Sequence, residues 1–285
     1  ERWASGYAAG NDNVDVFKTI YKPHTFAHEH NLALSGGSDN VSYYLSGNYL
    51  EAPGMMKLGG DTQDRIGVTA KINTKITNWL SLSYIGKFIR ARYEQPSSGK
   101  GRWEYRVAAQ GWPMVPVYDP NGYIFDSPSP YMEIVQAGRE KNINDRMSHQ
   151  FNVTLEPIKG WRIIGDYNFN LVENLRHYDR QQLFIHDVAG NPVMTDGNSY
   201  VDESFNHSNY YNANVYTEYS KEISGHYFKV LVGYQFEMLK YRTLGANRTG
   251  LILTENPTLN ATSGIDQNGQ TVAPGVLSLI HISEP

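Results

Sequence analysis

Nine histidines and 29 carboxylates are the side chains here that could move a proton or hold a metal. Their spacing points to neither. His149, Asp166, His177, His186, His207 and His226 are scattered. Among them there is no His-x-x-x-His pair, and no glycine-rich nucleotide loop or Gly-x-Ser-x-Gly elbow accompanies them. His24, His28 and His30 come nearest to a metal cluster. On a strand His28 and His30 share a face while Glu29 takes the other, so spacing supplies no further ligand. The chain has no cysteine, which removes thiolate metal sites, thiol nucleophiles and disulfides. The expectation is no catalytic residue, no metal and no cofactor.

Two other sets of residues could meet a ligand or a partner. Arg65, Lys71, Lys75, Lys87, Asp166, Glu218, Lys229 and Glu237 each alternate with apolar neighbours. They are expected to line a wet, lumen-like face, opposite an oily one. Trp103, Trp112, Tyr118, Tyr123 and Tyr131 sit in a proline-rich stretch, 92–146, that has little regular alternation. Flat rings on a loop stack on sugar rings or peptide side chains, and equally pack against each other or a lid protein.

The elements that must position these residues are long strands. From Asp64 to Arg92 a period of two runs for about a dozen residues, with Ile66, Val68, Ala70, Ile72 and Ile76 on one face. Thr77-Asn78 turn the chain, and Leu80, Leu82, Tyr84 and Phe88 resume the alternation. The same pattern marks 29–37, 41–50, 147–155, 161–171, 208–219 and 228–238, which makes eight strands. Val14 to Tyr21 reads as a short amphipathic helical turn stopped by Pro23. No amphipathic strand marks the last 45 residues.

Tight connections at 38–40, 77–78, 157–160 and 222–225 alternate with long ones at 51–63, 92–146 and 173–207. Strands this long, oily on one side and charged on the other, suit a tilted bilayer crossing. The expected fold class is therefore all-β: an antiparallel transmembrane β-barrel wall in the outer membrane. Its apolar face would meet lipid, with Tyr84, Trp161, Tyr219 and Tyr234 as interface aromatics. The alternative is a soluble or surface-exposed β-sandwich, a glycan-binding or structural module whose apolar faces meet in a dry core. Composition is compatible with both: 40% hydrophobic residues, 21 tyrosines and 26 glycines. A net charge of −4 offers no footprint for nucleic acid.

Residues 30–60, HNLALSGGSDNVSYYLSGNYLEAPGMMKLGG, and 64–82, DRIGVTAKINTKITNWLSL, resemble the early barrel of the SusC/RagA-like, TonB-dependent outer-membrane transporters of Bacteroidota. The resemblance covers residues 14–92. It implies a barrel of about 22 strands with an N-terminal plug and TonB-energised import of oligosaccharides or peptides. It also implies a SusD-like surface lipoprotein as a lid. The chain would then be an arc of that barrel over residues 1–276. The plug and the TonB-contacting region would lie upstream. Residues 277–285 break the pattern and are expected to be a non-native tail with no structural role; the alternative is a natural short strand.

Overall fold

The computed structural model describes residues 12–97, 111–125 and 131–283. Near the start, Asp15 caps a short helix, α1 (Val16–Ile20), by accepting the Lys18 backbone N–H at 3.1 Å. Helix α1 buries Val16 and Ile20 on one side, as the i, i+4 spacing of a helix requires.

Strands β1 (His28–Gly37), β2 (Val41–Pro53), β3 (Thr62–Lys75) and β4 (Leu80–Pro96) follow in two hairpins. A one-and-a-half-turn helix, α2 (Tyr131–Gln136), precedes the hairpin of β5 (Arg139–Ile158) and β6 (Trp161–Arg180). A small hairpin of β7 (Leu183–His186) and β8 (Pro192–Asp196) interrupts the run. Then come β9 (Tyr200–Ile223) and β10 (His226–Thr249), each of 24 residues, and finally β11 (Gly275–Ser283).

Nine of these strands form one antiparallel sheet in the order β1-β2-β3-β4-β5-β6-β9-β10-β11, and β7-β8 stand apart. The β9–β10 connection shows how local chemistry sets register. Ile223 pairs with His226, leaving two residues in the turn. Both have positive φ, 51° at Ser224 and 78° at Gly225. Two such residues twist the chain the way the flanking strands twist.

Register also sorts the faces. Tyr43, Ile72, Tyr84, Phe151, Tyr167, Ala213 and Phe236 lie in one cross-strand row. The row Ser42, Asn73, Ser83, Asn152, Asp166, Asn214 and Gln235 crosses the opposite face.

Three expectations need correction. First, the sheet is open and does not form a barrel wall. Antiparallel neighbours alternate in direction, so with nine strands β1 and β11 run the same way. An antiparallel seam between them is geometrically impossible. A bilayer tolerates no open edge, because each unpaired backbone group there costs several kcal/mol. Without closure there is no membrane-spanning set of strands in this structure, and the outer-membrane placement that required one is withdrawn. Among the described residues no helix is long and apolar enough to cross a membrane either. Among the described residues the main sheet has nine strands and the two-stranded β7-β8 sheet is the only other one.

Second, the long links are shorter than expected. β5 starts at Arg139 and β6 runs to Arg180, while β9 begins at Tyr200. In these extensions both faces are largely polar, so strand periodicity has no apolar signal to show. Third, residues 275–283 form a strand, with Asn247 to Leu239 of β10 as register partners. Val276-Leu277 and Leu279-Ile280 are apolar pairs, which hid the alternation.

Two small enclosed apolar clusters lie at the long-link end of the sheet, one of Met132, Ala137 and Leu183 and a larger one. Val16, Ile20, Met56, Tyr131 and Ile134 form it, flanked by Tyr21, Leu58, Val117 and Ile124. It ties α1, the β2–β3 link and α2 into one body. Ile20 is fully buried there. Ile20→Ala should lower unfolding free energy by about 2–5 kcal/mol, read from urea denaturation. A loss below about 1 kcal/mol would mean that this core does not hold the fold.

Candidate functional site: the loop crown

The links that gather at this end form a crown, and charge fastens it to the strand ends. Arg139 opens β5 with its guanidinium against the Gly59 and Gly60 carbonyls, the latter at 3.1 Å, and against Glu94 at 2.8 Å. Arg176 bridges Glu140 at 2.6 Å and Asp202 at 3.0 Å. Arg180 joins Asp196 of β8 at 2.8 Å and Glu133 of α2 at 3.6 Å. Gln136 of α2 makes a two-way pair with the Phe184 backbone of β7, at 2.9 and 3.1 Å.

The charge states follow from these contacts. Burial pushes the Glu140 carboxyl up, but hydrogen bonds from Arg176 and Gln95 outweigh it and hold the group below the usual carboxylate range. Hydrogen bonds to Asp179 and Glu203 push the His177 imidazole up to about 9. Asp196 shows the same contest as Glu140. Burial opposes ionisation, and the Arg180 hydrogen bond leads the effects that keep its carboxyl low. Glu140 and Asp196 are thus each kept ionised by an arginine of β6.

Beside α1 lies a cavity of about 510 Å³, lined by Asp12, Val14, Asp15, Lys18, Thr19, Lys57, Leu58, Val117 and Tyr118. Val14, Leu58 and Val117 supply apolar lining. Two carboxylates, two ammonium groups and a hydroxyl supply the polar lining. Tyr118 contributes a ring that is 52% exposed. Such a surface can stack a flat ligand face and hydrogen-bond its periphery.

The five loop aromatics are thus separated. Tyr118 lines the cavity, and Trp112 is exposed in the crown. Tyr123 stacks on His186 with ring centroids 3.6 Å apart and planes 9° apart. Tyr131 is fully buried in the apolar core, where it serves packing. Trp103 lies outside the described residues.

The eight charged residues expected to line a lumen share one face by register. Arg65, Lys71, Lys75 and Lys87 alternate with the apolar rows of β3 and β4. Asp166 and Glu218 occupy the same face on β6 and β9, as do Lys229 and Glu237 on β10. Because the sheet is open, this face bounds no enclosed lumen. Lys229 and Arg162 both grip Glu218, Lys229 at 2.7 Å.

Sequence reasoning missed the crown's charged hub of Arg139, Arg176, His177, Asp179 and Arg180. The run Arg176-His177-Tyr178-Asp179-Arg180 was visible, but its cross-element partners include Asp196, 16 positions away, and Glu133 of α2, farther off. Among the described residues no group of three histidines or carboxylates is placed to hold a metal.

No protein-family profile matches the chain, and no curated protein matches it. Solved structures do. The RagAB peptide importer in its open-open state superposes with a TM-score of 0.71 at 17% identity, covering 97% of this chain and 30% of that one. The RagAB peptide transporter gives 0.68 at 17% identity, covering 97% and 31%. The importer in its closed-closed state gives 0.67 at 18%, covering 95% and 30%. The likeness is one of fold. This chain is a distant structural relative of RagAB-type transporter chains and spans about 30% of their length.

Gly138 links α2 to β5 at φ 102°. An added Cβ would stand 2.1 Å from the Asp179 carboxylate. Gly138→Ala therefore meets both backbone strain and a clash. It should cost about 1–3 kcal/mol in equilibrium unfolding, whereas Gly269→Ala, where nothing crowds the new Cβ, should cost less. Equal losses at the two sites would show that the hub is not tightly packed.

Proposed function

We propose that this chain is a non-catalytic binding and structural module of transport-related fold, whose crown takes a glycan-class ligand at the Tyr118 cavity. One observation carries the reading. The crown is fastened by buried and half-buried ion pairs, yet it presents an exposed ring beside a cavity rich in hydrogen-bonding groups. A preorganised site loses little entropy on binding, and aromatic faces accept sugar rings. The import-channel reading is not carried forward, since it needed a closed wall.

A second reading concerns the ligand. Asp12 and Asp15 alongside Lys18 and Lys57 present both signs of charge, which suits the two termini of a short peptide. The solved relatives are described as a peptide importer and a peptide transporter, which favours testing this class beside glycans.

A protein partner of the SusD-like class fits the same end of the molecule. Trp112, Met114, Val188, Met194, Ile252 and Leu253 are exposed apolar residues of the crown links. Exposed apolar groups held on a rigid frame are the usual material of protein contacts.

Titration of the purified chain with neutral oligosaccharides and with short peptides, by calorimetry, tests the proposal. Tyr118→Ala should weaken binding at least about fivefold, the equivalent of 1 kcal/mol, with an unchanged far-UV spectrum. Unchanged glycan affinity in this variant, or no glycan binding by the parent chain at millimolar ligand, would overturn the glycan reading. Peptide binding alone would put the second reading in its place.

A further inference from the structure

Asp179 is fully buried, yet it is the meeting point of three donors. The Arg139 backbone N–H reaches it at 3.0 Å, Gln181 Nε2 at 3.0 Å and His177 Nε2 at 3.2 Å. Gln181 also donates to the Thr254 carbonyl from its side chain and to the Ala137 carbonyl from its backbone. The hub therefore joins the end of β6 to the α2–β5 junction and to the link after β10.

His177 completes it from a distinctive position. Its Nδ1 faces Glu203 of β9 at 2.6 Å while its Nε2 faces Asp179. A neutral imidazole has one N–H and one lone pair. Between two carboxylates, the lone pair would point at negative charge and one hydrogen bond would be lost. Only the imidazolium satisfies both neighbours.

We infer that the His177 imidazolium is a latch that holds the crown onto the strand ends, closed while the ring is protonated and opened when it loses its proton. The groups around it fit that role. On its own strand the facing charge is Asp179, and across β9 it is Glu203. Across β5 its register partner is Lys141, itself paired in register with Glu94 of β4. Arg139 approaches from the α2 junction. Beyond Glu203, β10 places the uncharged Ala246. Lys141 disfavours the proton, while Glu203, Asp179 and Glu94 favour it.

The sign of the pH dependence is fixed by the direction of the shift. The ring's affinity for its proton rises from the ordinary 6.5 to about 9 on folding. Its stabilisation is complete below the lower value and is lost as pH climbs through the upper one. At neutral pH the latch is shut.

Hydrogen exchange of the whole chain, read by mass spectrometry from about pH 7 to 10.5 and corrected for intrinsic exchange, tests this. In the parent chain, residues 131–138 and 250–264 should lose protection roughly tenfold or more across the step near pH 9. His177→Gln should show low crown protection already at pH 7 and no step. Glu203→Gln should move the step to lower pH. Lys229→Gln, at the opposite end of the sheet, should leave it in place. A crown protected throughout the range, or a step that persists in His177→Gln, would overturn the inference. Should His177→Gln lose its strand signal in the far ultraviolet, Glu203→Gln decides, and an unmoved step there would overturn it equally.

Discussion

The backbone ladder is the constraint on which everything else here depends. Nine strands satisfy their N–H and C=O groups by pairing with sequence neighbours or near neighbours, in a single antiparallel layer. Only the β6–β9 contact skips over an intervening hairpin. Such an arrangement needs no enclosed core along its length. It explains why Phe228, Val230, Val232 and Tyr234 remain exposed on strands of full regularity. It also leaves β1 and β11 with one partner each, in parallel directions, which is why the layer stays open.

Where the ladder ends, charge takes over. Strands β5, β6 and β9 continue well past their apolar portions, and there cross-strand ion pairs replace oily contacts. Glu140, Arg176 and Asp202 follow one another across three strands, and on the other face Glu203 of β9 meets His177 of β6, which also faces Asp179 of its own strand. A half-buried carboxylate is costly unless paired. Each such group therefore demands its partner, and Arg180 of β6 reaches Asp196 of β8 and Glu133 of α2. This couples the crown segments to the strand ends.

The same coupling bears on function. A catalytic site gathers nucleophiles, bases and an anion-binding pocket. The crown instead gathers ion pairs that are already satisfied, and leaves rings and hydroxyls at its surface. The likeness to RagAB chains is one of fold and assigns a role to no residue.

The sequence by itself determined the hairpins. Period-two alternation around Ile66–Ile76 or Phe228–Phe236 is a local property that survives without knowledge of neighbours, and a short connection at 222–225, which the structure narrows to Ser224-Gly225, joins adjacent strands. It also settled which residues share a face along the regular strands, because side chains alternate there, the shift between Leu155 and Ile158 being a break in that register. Only the tertiary structure decided three things. The ninth strand paired where Val276-Leu277 and Leu279-Ile280 blurred the alternation, and that odd count set the directions of the outer strands. The polar extensions of β5, β6 and β9 were invisible, because a strand with two wet faces has no hydrophobic period. The hub at Asp179 could not be read either, since Arg139, His177, Glu203 and Thr254 meet there only after long links close, and ion pairing between distant residues leaves no mark in local spacing.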